Sequence, residues 1–310
     1  MNQKKKSEIA IAIDEGNIFQ TTTKLKDDLQ NEIEIPGGFK VPKESGTKVE
    51  EGIVIEDNVR NQFVWIPVGT YKTTKGDKLN NLSRRSFSEN GAEEVTEDNG
   101  DGVVDGTYYG EGDSRSVAAD TISTFKSKSI SNKGFYIGRF EAGTEAERTS
   151  LDDQLTTPLV QKNKNAYVYI QREQAMAQSG AMYELNSSVT SELVTSYAWD
   201  TALNFICQNN DEGYVIATTN GNSYGNINTN LKTLTGNYEQ DKYCNIYDMV
   251  GNCTEWTPEY STNVTNDRSY PTVTRGGNYA SLNCSASIRI SNNTIYNVPY
   301  VTFRIQLYVN

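Results

Sequence analysis

Apolar and polar positions alternate most cleanly in the last stretch of the chain. Val301, Phe303, Ile305, Leu307 and Val309 interleave with Thr302, Arg304, Gln306 and Tyr308, the period-two pattern of a half-buried final strand. Further upstream, "GIVIED" and "NQFVWIPVGTY" read as two strands joined by a hairpin, with Pro67 closing the second. "GFYIGRFEAG", Gly134 to Gly143, restores strand character, and "AYVYI" adds another short strand before a helix over "QREQAMAQSGAMYEL". A second helix is predicted in "ELVTSYAWDTALNFICQ", where Trp199, Ala202, Leu203 and Ile206 recur at helical spacing and form a core stripe. Residues 72–125 are polar, acidic and glycine-rich, and read as a long insertion of loop. Residues 1–35 have a basic start and weak helical spacing and read as a leader or attachment segment. Pro36, Gly37, Gly38 and Pro42 then break any helix, so the folded domain is placed at 36–310. With few helices, short strands and much irregular chain, the pattern predicts an α+β fold.

Composition removes several function classes. The 310 residues are 36% hydrophobic and 22% charged, enough for a full core. A net charge of -11 and no basic stripe argue against a nucleic-acid partner. No apolar run approaches the ~18 residues of a membrane span, and the longest, "IAIAI" at Ile9 to Ile13, is too short for an export signal. Histidine is absent, which removes a Ser-His-Asp triad and any His-ligated zinc or iron. The G-x-S-x-G match "GNSYG", Gly221 to Gly225, therefore reads as a turn. The four cysteines, Cys207, Cys244, Cys253 and Cys284, form no C-x-x-C and are expected as buried thiols.

The stretch "DMVGNCTEWTPEY", Asp248 to Tyr260, concentrates an acid, a glycine turn and a Glu-Trp pair, and "VTRGGNYASLNC" follows it. Two readings are open: a tight turn that anchors Trp256 in the core, or a cation site. Asp248 and Glu255 are hard oxygen ligands, and the Gly251–Asn252 turn could point carbonyls inward, as calcium's shell requires. A second acidic loop, "EDNGDGVVDG", places Glu97, Asn99, Asp101 and Asp105 around Gly102 but has Tyr108 where a calcium loop carries its bidentate Glu.

"FVWIPVGTY", "GFYIGRFEAG", "NIYDMVGNCTEW", "TRGGNY" and "VTFRIQLY" occur in the order seen in the formylglycine-generating-enzyme (sulfatase-modifying factor) family, which the chain resembles from about residue 36 onward. The resemblance implies a C-type-lectin-like fold. It also implies a structural calcium ion held by the Asp248 side chain, the main-chain carbonyls of Gly251 and Cys253, and the Glu255 carboxylate. Thr254 stands where an aromatic is usual and Thr302 where the family has Gly. The family's oxidase needs two cysteines near R-G-G-x-Y to bind copper, whereas only Cys284 lies in that segment and Arg289 stands five residues further on. Its iron-dependent branch uses histidines.

With both catalytic routes broken, the chain is expected not to be an enzyme. It also resembles the variable proteins of diversity-generating retroelements, which place diversified residues between the R-G-G motif and the last strand. That implies a ligand-binding face of Asn278, Ser281, Asn283, Ile288, Asn292, Tyr296, Asn297 and Tyr300, rich in adaptable amides and rigid aromatics. The expected partner is a protein or glycan, and the expected setting is extracellular, on a bacterial surface or a phage virion. The alternatives are an oxidase of the same fold with a degenerate site, and a structural surface or virion subunit.

Overall fold

A computed structural model of the chain describes residues 6–95, 114–219, 224–227, 229–260, 272–281, 284–293, 295 and 297–310. Helix α1 (Glu8–Glu15) starts at Ser7, whose hydroxyl accepts from the Ala10 amide, and stops at Gly16 in the left-handed region (φ 62°). Strands β1 (Thr23–Lys26) and β2 (Glu32–Ile35) form a ribbon, followed by β3 (Val54–Glu56), β4 (Gln62–Pro67), β5 (Gly69–Thr73), β6 (Gly76–Asn80), β7 (Arg85–Ser88) and β8 (Gly91–Glu94). Helix α2 (Ser114–Ser131) leads into β9 (Gly134–Gly138), β10 (Gly143–Thr144), β11 (Asn165–Ala166), α3 (Arg172–Ala181) and β12 (Val189–Leu193). Helices α4 (Ser196–Gln208) and α5 (Val215–Thr218) precede β13 (Thr254–Tyr260), β14 (Thr272–Arg275), β15 (Arg289–Asn292), β16 (Val301–Phe303) and β17 (Ile305–Val309).

Two sheets carry the architecture. One has the order β12-β17-β9-β4-β3, the other β15-β14-β13-β16. In the first, β4 and β9 pair antiparallel with Trp65 opposite Tyr136, and the rings meet edge to face at 5.1 Å. Gly134 is required beside them, because a Cβ there would fall 2.2 Å from the Trp65 ring. In the second, β13 pairs antiparallel with β14 and parallel with β16. Five helices among the described residues and many short strands give the mixed α+β organisation expected of a C-type-lectin-like domain. The α3 and α4 helices and the β3–β4 hairpin form where the pattern predicts them, and Trp199, Ala202, Leu203 and Ile206 are buried together.

The structure adds detail to these expectations. Within the segment read as a leader, Ile9, Ile33 and Ile35 are buried in the same core as Trp65 and Phe303. The described part of the 72–125 insertion contains the end of the β5–β6 hairpin, the β7–β8 hairpin and most of α2, whose Ile122 and Phe125 enter the core. Of the "ELV" before α4, Glu192 and Leu193 belong to β12, and Val194 lies between that strand and the helix. Finally, the last strand is buried on both sides and split in two. It pairs in the second sheet through Phe303 and in the first from Ile305, and Arg304 lies at the switch.

Candidate functional site

Arg304 is the centre of a buried charge cluster made possible by that switch. Glu255 lies on β13, opposite Thr302 of β16, so the guanidinium of the next residue reaches its carboxylate. Arg304 Nε donates to Oε1 and Oε2 at 3.1 and 3.0 Å, and Nη2 donates to Oε1 at 2.7 Å. Nη1 and Nη2 also donate to the carbonyls of Gly138 (2.8 Å) and Tyr247 (2.9 Å), tying both sheets and the Asp248 loop to one side chain. Both partners are fully buried. Desolvation pushes Glu255 up to about 7 against the pull of Arg304. Burial works to lower Arg304, but the Glu255 charge and hydrogen bonds together with the Asp248 and Glu141 charges outweigh it, and the net shift is upward. The two shifts disagree about the pair, and the bidentate geometry decides for the ionised form.

The loop that carries the cation motif is held open by left-handed residues. Asp248 (φ 61°), Gly251 (φ 136°) and Asn252 (φ 58°) all lie at positive φ, and a Cβ on Gly251 would sit 2.6 Å from the Asn226 carbonyl oxygen. Asn252 is the latch: its Nδ2 donates to Glu141 Oε1, and its Oδ1 accepts from the Asn226 side chain and the Thr233 amide, each at 3.0 Å. Asp248 Oδ2 accepts from the Gly236 amide at 2.7 Å, while its Oδ1 is buried without a hydrogen-bond partner. Glu141 Oε2 and both Asp241 oxygens are orphaned in the same way, with the Asp248 amide and carboxyl both acting on Asp241. Burial, then the neighbouring Asp248 charge, pushes Glu141 and Asp241 well above the usual carboxylate range.

One guanidinium thus faces four buried carboxyl groups, of which burial holds Glu141 and Asp241 towards the neutral form and Glu255 is paired with Arg304. The orphaned Asp248 oxygen is the feature that fits a hard divalent cation. Among the described residues no three acidic or sulfur-bearing side chains converge as a metal cluster. Of the two side chains expected to hold calcium, Asp248 has an oxygen without a partner, whereas both Glu255 oxygens accept from Arg304. Glu141, Asp241 and Arg304 were not singled out by sequence reasoning. An acid in an apolar strand ("GRFEAG") and an arginine between two core residues ("TFRIQ") were the available signals.

The R-G-G segment anchors the other candidate surface. Arg275 is fully buried and ion-pairs with Asp200 on α4, whose second oxygen takes Arg289. Burial lowers Arg275 to about 10 while Asp200 works against that shift. Trp199 Nε1 donates to the Ala286 carbonyl at 2.9 Å, and the Trp199 ring closes on Gly276 (φ 76°), where a Cβ would meet it at 3.1 Å. The following segment is less irregular than expected, because β15 pairs with β14 from Arg275↔Arg289 to Thr272↔Asn292.

The predicted ligand-contacting residues divide. Asn278 is buried, its Nδ2 donating to Thr254 Oγ1 at 2.9 Å, so it forms floor and not face. Ser281, Ile288, Asn292, Asn297 and Tyr300 are half-buried in one segment; Asn292 is tied by Nδ2 to Thr274 Oγ1 at 2.7 Å. Asn283 and Tyr296 lie outside the described residues, as do the 97–108 loop and most of "GNSYG". Ile295, 65% exposed between these positions, was missed, although an isoleucine in a polar run was its signal.

All four cysteines are free; Cys207, Cys253 and Cys284 are buried and Cys244 is half-buried. Burial pushes the Cys207 and Cys244 thiols up to about 12 and Cys253 well above its usual value, so these three are held away from the nucleophilic thiolate. No helix among the described residues is long and apolar enough to cross a membrane.

No protein-family model and no curated protein matches the chain. Among solved structures it is similar to CarF, with 15% identity and a TM-score of 0.40 over 57% of this chain and 87% of that one. It is also similar to PvdO from Pseudomonas aeruginosa, with 11% identity and a TM-score of 0.46 over 83% and 98%. A third is Treponema denticola variable protein 1, with 13% identity and a TM-score of 0.39 over 79% and 95%.

Proposed function

We propose that this chain is a non-catalytic ligand-binding protein that presents the segment between Arg275 and Val301 to a protein or glycan partner, in the manner of a diversity-generating retroelement variable protein displayed outside the cell. The observation that carries the reading is the separation of frame from face. Arg275, Gly276 and Val301 are buried, and Asp200 pins both Arg275 and Arg289, while Ser281, Ile288, Asn297 and Tyr300 remain half-exposed between these anchors. Side chains in that position can change without dismantling buried contacts, which is what a diversifiable surface needs. Cys284 is the one cysteine in the R-G-G segment, with Arg289 five residues on, and mass spectrometry should find no aldehyde formed from a cysteine-containing sulfatase peptide.

Calcium enters as a structural element of the frame, with Asp248, Glu255 and the carbonyls of Gly251 and Cys253 as its holders. It would neutralise the charge that Arg304 leaves unbalanced. Sequencing sibling copies of the gene and their flanking DNA tests the reading. Differences clustered in the codons for 278–300, beside a reverse transcriptase and a near-copy of that stretch, support it. Differences spread evenly over the chain overturn it.

A further inference from the structure

Away from the cation motif and the R-G-G segment, a surface cavity of about 680 Å³ gathers positive charge in an otherwise acidic protein. Arg60, Arg139, Lys162, Lys164 and Lys242 line it against only Glu44 and Glu239. It shares no residue with the segment between Arg275 and Val301.

The cations are built in with care. Arg139 is buried at the base, its guanidinium donating to the Asn245 carbonyl (3.1 Å), Asn245 Oδ1 (3.0 Å) and Gln62 Oε1 (2.8 Å). Beneath it Phe140 and Tyr247 stack at 5.0 Å, and Arg139, Lys162 and Lys242 all lie within 6 Å of the Tyr247 ring centre. At the mouth, Arg60 is fixed by a turn in which Asp57 Oδ1 accepts from the amides of Val59 and Asn61, and Arg60 itself is at φ 76°. Lys162 pairs with Glu239 and Lys164 with Glu145, but the side chains of Arg60 and Lys242 make no ion pair among the described residues.

Two unpaired, exposed cations flanking a cavity whose floor is also cationic call for an anion. Gln62 is spent on Glu56 and Arg139, and Gln161 Nε2 on the Val59 carbonyl, which leaves Gln161 Oε1 and the exposed Asn163 amide between the charges as acceptor and donor for hydroxyls, groups that simple ions do not use. Both aromatic rings are covered, so the cavity offers no apolar slot for a peptide side chain. We propose that this cavity is a second binding site, for an acidic sugar chain of the uronate class, with carboxylates at Arg60 and Lys242 and hydroxyls at the amides.

The test titrates the full chain with tetragalacturonic acid by calorimetry, beside neutral tetragalactose and sodium sulfate. The expected result is one site per chain for the acidic tetramer that weakens as salt rises. Arg60→Glu with Lys242→Glu should weaken it by about tenfold or more, each lost pairing being a fraction of the 1.4 kcal/mol that makes one decade. Both positions are exposed, so the thermal transition should not move; Leu185→Ala, at an exposed residue outside the cavity lining, serves as a control that leaves this binding unchanged. No binding of the acidic tetramer, equal binding of the neutral one, an unaffected double variant, or displacement by sulfate at equal concentration would each overturn the proposal.

Discussion

Replacing Arg304 with methionine should be among the most damaging single changes in this protein. The variant keeps the length and apolar stem of the side chain but removes the guanidinium, leaving Glu255 buried with no counter-charge and the Gly138 and Tyr247 carbonyls without their donors. Breaking a buried pair by removing one partner costs about 3 to 5 kcal/mol, and each orphaned carbonyl adds roughly 1 kcal/mol. The sum is a large part of the ~5 to 15 kcal/mol that holds a typical domain together. Urea unfolding followed by tryptophan fluorescence, in chelator, measures it. The double variant Arg304→Met with Glu255→Leu removes the stranded charge and should recover at least about 2 kcal/mol relative to the sum of the singles. The single variant should also lose less at pH 5 than at pH 8, because the stranded carboxyl can then take a proton. A cost below about 1 kcal/mol, or strict additivity in the double variant, would refute the claim that this pair joins the two sheets.

Chelator should lower the melting temperature and calcium restore it, a hundredfold excess over Kd adding about 2.7 kcal/mol, with Asp248→Asn unresponsive; indifference of the wild type to both would remove calcium from the frame. Glu192, on β12 beside Gln306 and Tyr308, is pushed from 4.5 up to about 7 by burial. The folded state therefore keeps its proton where the unfolded chain has lost it, so stability falls as pH rises from 4.5 to 7 and levels off above. Denaturation at a series of pH values should show Glu192→Gln removing about 2 to 3 kcal/mol of that fall, and an unchanged profile contradicts the assignment. Trp256→Ala and Phe303→Ala, both at fully buried aromatics, should each cost ~3 to 5 kcal/mol in the same assay; costs under 1 kcal/mol would mean these rings are not core.

What the sequence made legible was local. The Glu255-Trp256 pair, the R-G-G turn and the helical stripe from Trp199 to Ile206 each carry their pattern within a few residues, and each is found where the pattern puts it. What it hid depends on chain segments far apart. Arg304 reads as the outward face of an alternating strand until the strand is seen to change sheets, which turns that face inward toward Glu255. Glu141 and Asp241 join the cluster through contacts that no motif spacing encodes. The β7–β8 hairpin and α2 were missed because a polar hairpin has little apolar alternation and the sequence of α2 is mostly serine, threonine and charged residues, with Ile122, Phe125 and Ser129 buried among its described side chains. Asn278 was read as a contact residue by position, yet its amide is taken by Thr254 in the floor.

The central claim is that a rigid frame carries a replaceable face, and one library measures it. Ser281, Ile288, Asn292, Asn297 and Tyr300 are randomised together on the full chain, displayed on yeast, sorted first for resistance to protease and then for binding to a panel of purified proteins and glycans. The account predicts that most clones pass the folding sort with melting temperatures near the parent, and that binders to different targets emerge differing only at these five positions. If most clones fail the folding sort, or if folded clones yield no binders from a large library, the segment is structural and the ligand-binding reading is wrong.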